Sequence, residues 1–138
     1  MIDKDRLVDQ LLRHEGLKLQ PYRCSEGKLT IGIGRNLDDN GITEKEAVFM
    51  LENDLAWCMA ECHKNFTWFN KADPLIKEAV INLVFNMGIT RFLGFKKTIA
   101  FLAAGKYELA GAELLNSLYA EQVPKRAQEI ANQIADCA

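Results

Sequence analysis

Apolar positions recur at helical spacing between residues 3 and 15: Leu7, Val8, Leu11 and Leu12 share one face, which predicts an amphipathic helix. Glu15 extends that face, four residues after Leu11 and three after Leu12, and Gly16 ends the helix. A carboxylate closing an apolar stripe is expected to point toward the protein interior. The period then changes. The stretch LKLQPYRCSEGKLTIGIGR, residues 17–35, is rich in β formers and carries a turn signal at Ser25-Glu26-Gly27. It predicts strands near 18–23, 28–31 and 32–35. Gly32 and Gly34 alternate with Ile31 and Ile33, so the last of these strands is expected to show bare backbone on one face, open to close approach.

A polar turn, NLDDNGI, fills residues 36–42, and Thr43 with Glu46 matches a capping box. Ala47, Leu51, Leu55, Cys58 and Cys62 follow at spacings of four, four, three and four. They predict a helix over 43–62, about 30 Å long and suited to bridging two lobes. Asp73-Pro74 reads as an N-cap followed by Pro in the first turn. The next stretch, Leu75 to Met87, is apolar on nearly every side, as in the middle of a helical bundle. Gly88 and Gly94 bound a short segment, helices are expected over 95–104 and 106–118, and Pro124 opens a last helix over 124–136. The class is α+β, mainly helical. A small N-terminal lobe with a β-hairpin sheet (about 14–42) is followed by the interlobe helix (about 43–62). The helical C-terminal lobe takes about 63–138 together with helix 3–13.

Composition changes this picture little. The 138 residues are 49% hydrophobic and 26% charged, as in an ordinary globular domain. No apolar run approaches membrane-spanning length and no export signal is visible, which predicts no stable membrane insertion. The net charge of −2 argues against nucleic-acid binding through a basic surface. The charge is uneven: residues 1–63 hold 8 Lys and Arg against 12 Asp and Glu, residues 64–138 hold 9 against 7. Cys24, Cys58, Cys62 and Cys137 are not spaced as a disulfide framework. Cys58 and Cys62 lie one turn apart beside His63 but lack further ligands, so they read as core rather than a metal site.

The informative segment is residues 14–37. A carboxylate at a helix end faces a hairpin carrying Cys24 and Thr30, with Gly32 and Gly34 beyond. An apolar setting disfavours the charged form of a carboxyl, the property a general acid needs near neutral pH. That is half of a glycosidase site, in which two groups flank the bond to be cut.

Five ordered segments resemble the phage-type lysozymes, or endolysins, of the T-even phage type. They are His14-Glu15-Gly16-Leu17 with Pro21-Tyr22; Leu29-Thr30-Ile31-Gly32-Ile33-Gly34; Gly41-Ile42-Thr43-Glu44-Lys45-Glu46-Ala47; residues 79–88, AVINLVFNMG; and Gln122-Val123-Pro124-Lys125-Arg126-Ala127. The resemblance implies a lysozyme-like fold and a muramidase that cuts the β-1,4 bond between N-acetylmuramic acid and N-acetylglucosamine in peptidoglycan. It implies Glu15 as general acid, Thr30 as the threonine that helps hold the catalytic water, and Arg126 as the arginine pairing with the acid. It places Asn86, Gln122 and Gly34 at the substrate. Cys24 stands where many members carry an aspartate as second catalytic group, and Arg35 stands in a supporting position often held by histidine.

No cofactor or metal is implied. The expected setting is a monomer that stays in the host bacterial cytoplasm until a holin releases it to the periplasm and wall. Blander readings stand beside these. Glu15 is read as a structural partner of Arg126, Cys24 as a small turn residue, and Asn82 and Asn86 as core amides. For the whole chain the alternative is a catalytically impaired lysozyme that binds peptidoglycan. As a thiolate, Cys24 serves either as nucleophile, with retention, or as base for a water, with inversion.

Overall fold

The computed structural model describes residues 1–138 and divides into two compact units, Met1–Phe49 and Met50–Ala138. In the first unit α1 (Lys4–Glu15) is capped by Asp3, whose carboxylate accepts from the Arg6 N–H at 3.0 Å. Gly16 closes the helix with φ +73°. No residue of α1 is buried, and Leu7, Val8, Leu11 and Leu12 are all exposed. The expectation that this face carries Glu15 into an interior is therefore corrected: Glu15 is exposed, and its neighbour is a hairpin turn.

Strands β1 (Lys18–Arg23), β2 (Leu29–Gly32) and β3 (Arg35–Asn36) form an antiparallel sheet in that order. Tyr22 pairs with Thr30 and Arg23 with Leu29, with a bulge between Lys18 and Tyr22. The third strand, expected over 32–35, begins only at Arg35. Gly32 and Gly34 take φ of +72° and +74°, a left-handed backbone that an extended strand does not use. They turn the chain between β2 and β3, and only Arg35 and Asn36 pair back.

The polar turn is also more ordered than expected. Residues Leu37–Asn40 form one helical turn, α2, capped by Asn36, which accepts from the Asp39 N–H at 3.0 Å. Asp38 accepts from the Leu29 N–H at 2.7 Å, Arg23 reaches Asp38 at 3.3 Å, and Lys28 reaches Asp39 at 3.0 Å. These bonds tie α2 to the hairpin. The helix α3 (Glu44–Asn65) begins on the predicted capping box: Thr43 accepts from the Glu46 N–H at 3.1 Å and donates its own N–H to Glu46 at 2.9 Å.

The second unit is helical. It contains a 3₁₀ turn (Phe69–Lys71), α4 (Pro74–Met87), α5 (Ile89–Leu93), α6 (Lys96–Ala103), α7 (Tyr107–Leu115), α8 (Leu118–Gln122) and α9 (Pro124–Ala135). Asp73 caps α4 as its sequence predicts, accepting from the Leu75 N–H at 2.8 Å. The helix expected over 106–118 ends at Leu115, and Ser117 caps a separate α8, accepting from the Ala120 N–H. The core gathers Cys62, Phe69, Ile76, Val80, Leu83, Phe92, Leu102, Leu114 and Ile134. Each such large side chain contributes about 1.5–3 kcal/mol through burial. Cys58 and Cys62 belong to this core, as their apolar spacing suggests. Helix α7 packs on α9 at Gly111, where a Cβ would stand 2.8 Å from the Ala131 carbonyl oxygen, so only glycine permits the approach.

Candidate functional site

Within the first unit, Glu15 at the end of α1 lies against Gly34 in the β2–β3 turn. A Cβ on Gly34 would stand 2.8 Å from Glu15 Oε2 and 2.9 Å from its Cδ. The bare backbone expected at Gly34 is thus real, although its cause is a turn. What approaches it is the candidate acid itself.

Cys24 sits where β1 enters the turn, half-buried, its N–H donating to the Lys28 carbonyl at 2.9 Å. The Gly27 N–H returns to the Cys24 carbonyl at 2.8 Å and closes the turn. Inside that loop the backbone N–H of Glu26, then that of Lys28, hold the Cys24 thiol below its usual range. The Thr30 hydroxyl adds to them, while partial desolvation and the Glu26 charge oppose. Donors aimed at sulfur favour the thiolate. Thr30 is buried and donates to the Lys28 carbonyl at 2.9 Å. The other thiols contrast with Cys24: burial pushes Cys62 up to about 12 and raises Cys58 and Cys137.

Arg35 faces elsewhere. It grips Glu46 with two bonds, 2.8 and 2.7 Å, and donates to the Gly41 carbonyl at 3.2 Å. Bonding to Arg35 and to the Thr43 N–H holds the Glu46 carboxyl at about 2. Arg35 therefore pins β3 to the start of α3.

The second unit carries its own polar group. Arg126 donates to Asn82 Oδ1 from Nε at 3.0 Å and from a terminal nitrogen at 2.6 Å. Tyr119, buried at the start of α8, donates its hydroxyl to Asn86 Oδ1 at 2.7 Å. Arg91 donates to Gln122 Oε1 at 2.8 Å and lies 5.8 Å from the Tyr119 ring centroid. Asn82 and Asn86 are exposed on α4, not core amides.

The model of the phage lysozyme family matches residues 12–131. The chain belongs to the phage lysozyme family. It is 30% identical to the probable T4-type lysozyme 1 of Dictyostelium discoideum, across 93% of this chain and 92% of that protein. It is 33% identical to an endolysin of Acyrthosiphon pisum secondary endosymbiont phage 1, across 75% and 70%. It is also 26% identical to the pre-baseplate central spike protein Gp5 of Enterobacteria phage T4, over 90% of this chain and 26% of that protein.

For a phage lysozyme the sites above sort into two groups. Glu15, Gly34, Cys24 and Thr30 lie on the helix end and hairpin of the first unit. Asn86, Gln122 and Arg126 lie together in the second. Reading the sequence missed Tyr119 and Arg91, which hold two of those amides. Tyr119 follows Leu118 in an apolar-looking run and reads as core. The signal was Ser117, whose capping role puts residue 119 in the first turn of a new helix.

Proposed function

We propose that this phage lysozyme is a muramidase that hydrolyses the β-1,4 bond between N-acetylmuramic acid and N-acetylglucosamine in peptidoglycan. Glu15 is the general acid: it protonates the leaving oxygen as the glycosidic bond breaks. Cys24 acts on the opposite face of the sugar. Its thiolate attacks the anomeric carbon and forms a glycosyl thioether. A water on the face away from Cys24, losing its proton to the Glu15 carboxylate, then displaces the sulfur and restores the thiolate. Attack is preferred to base catalysis on physical grounds. Donors that lower a thiol's pKa weaken it as a base more than as a nucleophile.

What supports this reading is the place of Cys24, half-buried at the turn of the hairpin that follows Glu15, where the Glu26 and Lys28 backbone holds its thiol below the usual range. The test is clearing of permeabilised Gram-negative cells by the pure protein, repeated with Cys24→Ala and Cys24→Asp. Clearing by the wild type, its loss in the alanine variant and its return in the aspartate variant are expected. Binding to cell walls without clearing would instead make the chain a catalytically impaired, peptidoglycan-binding lysozyme. Full clearing by Cys24→Ala would make the thiol a packing residue.

A further inference from the structure

The hairpin carrying Cys24 is gripped from outside by α2. Across β1 and β2, Arg23 pairs with Leu29, and the Cys24 N–H takes the Lys28 carbonyl. The alternation of an antiparallel ladder therefore turns the Leu29 N–H to the other edge of β2. On that edge β3 pairs only Arg35 with Ile31 and Asn36 with Thr30, so no strand reaches Leu29. Asp38 of α2 fills the place: its Oδ2 accepts from the Leu29 N–H at 2.7 Å. The same oxygen accepts from Arg23 Nη1 at 3.3 Å, and that nitrogen also donates to the Gly27 carbonyl at 3.2 Å. One oxygen thus joins both strands at the base of the Cys24 turn and, through Arg23, reaches the far side of that turn. Asp39 differs. It takes the Lys28 ammonium at 3.0 Å and the Asn36 amide at 2.9 Å, side chains that can move without moving the strands.

We infer that Asp38 is a positioning residue for Cys24: its carboxylate clips β1 to β2 and so fixes the turn whose backbone surrounds the sulfur. The Glu26 and Lys28 backbone favours the thiolate only while the turn keeps its shape. The charges felt at the sulfur are those of Glu26, which opposes ionisation, and of Lys28. The Asp38 carboxylate is turned to Arg23 and Leu29 instead, so its effect on the thiol passes through the backbone. Because a single oxygen takes both donors, an amide oxygen with its two lone pairs can replace it. The inference rests on the proposed function for the use of the thiol, but the thiol itself can be followed without turnover.

The experiment uses the full chain with its cysteines in place. Iodoacetamide is the probe, and the rate of Cys24 alkylation is followed against pH by peptide mass spectrometry, with the melting temperature recorded alongside. Asp38→Ala removes the acceptor, whereas Asp38→Asn keeps an oxygen and removes the charge. The alanine variant is expected to alkylate about threefold more slowly at pH 7, the scale of one hydrogen bond, with its midpoint moved to higher pH. The asparagine variant is expected to match the wild type. Loss of a negative charge alone would act the other way, easing ionisation in both variants. An unchanged midpoint in Asp38→Ala, or a displaced one in Asp38→Asn, overturns the inference. In lysis assays the acid limb of the pH–rate profile should move with the alkylation midpoint. A midpoint that moves as expected while that limb stays would overturn the role of the thiol in the proposed function and leave the Asp38 clip standing.

Discussion

The carboxylate of Glu15 rests directly on the Cα of Gly34, so close that one added methyl group would occupy its place. The end of α1 and the turn between β2 and β3 are thereby joined at the proposed acid. A positive φ at residue 34 makes the turn, and the missing side chain makes room for the carboxylate.

Gly34→Ala separates these two requirements when set beside Gly105→Ala. Both glycines have φ above +70°, and at Gly105 a Cβ meets nothing within 4 Å. Left-handed backbone costs an L-residue about 1–2 kcal/mol, so both variants should lose comparable stability in denaturant titrations. Only Gly34→Ala should also displace Glu15 and lose most of its lytic activity. Equal activity in the two variants would show that the contact has no catalytic consequence.

Cys24 should be the thiol that reacts first. Its donors favour the thiolate, whereas Cys58 and Cys62 are buried, and Cys62 is held at about 12. Brief treatment with iodoacetamide at neutral pH should label Cys24 selectively, by peptide mass spectrometry, and abolish lysis in step. Labelling of Cys137 ahead of Cys24 would contradict the lowered thiol.

The same group sets a pH dependence. Activity that needs the thiolate should fall as pH drops through the lowered Cys24 value. An aspartate stays ionised well below that range. Cys24→Asp should therefore retain activity at pH values where the wild type has lost it. Superimposable acid limbs in the two pH–rate profiles would exclude Cys24 ionisation as the controlling step.

Glu46 links acid stability to the first unit. Its carboxyl is held at about 2 in the folded chain, chiefly by Arg35 and then by the Thr43 N–H, against an ordinary 4.5. A depressed carboxyl stabilises the fold above its unfolded value, and that contribution fades as pH falls from about 4.5 toward about 2. Glu46→Gln should lower the melting temperature at pH 7, and the difference from wild type should shrink steadily below pH 4. A constant difference across that window would assign the effect to packing instead of charge.

The helix starts were readable because their signals are local. Thr43 with Glu46 and Asp73 with Pro74 each make the bonds their spacing predicts. The turn at Gly32–Gly34 was misread because alternation of Gly and Ile fits a strand equally well until φ is known. The break between α7 and α8 falls at Asn116-Ser117, a polar pair with no Gly or Pro to mark it, and the role of Tyr119 was missed with it. Cys24 was visible as a residue out of pattern. The donors that favour its thiolate were not, since they come from the backbone of Glu26 and Lys28 and depend on the shape of the turn.

The most direct measurement is the reducing-end analysis of purified peptidoglycan digested by the wild type and by Glu15→Gln, with the anomer of the first product recorded. New N-acetylmuramic acid reducing ends, formed with retained configuration by the wild type and absent with a folded Glu15→Gln variant, are predicted. An inverted first product would contradict direct attack by Cys24. Absence of new reducing ends from the wild type, or their release by Glu15→Gln at a near wild-type rate, would contradict the central assignment.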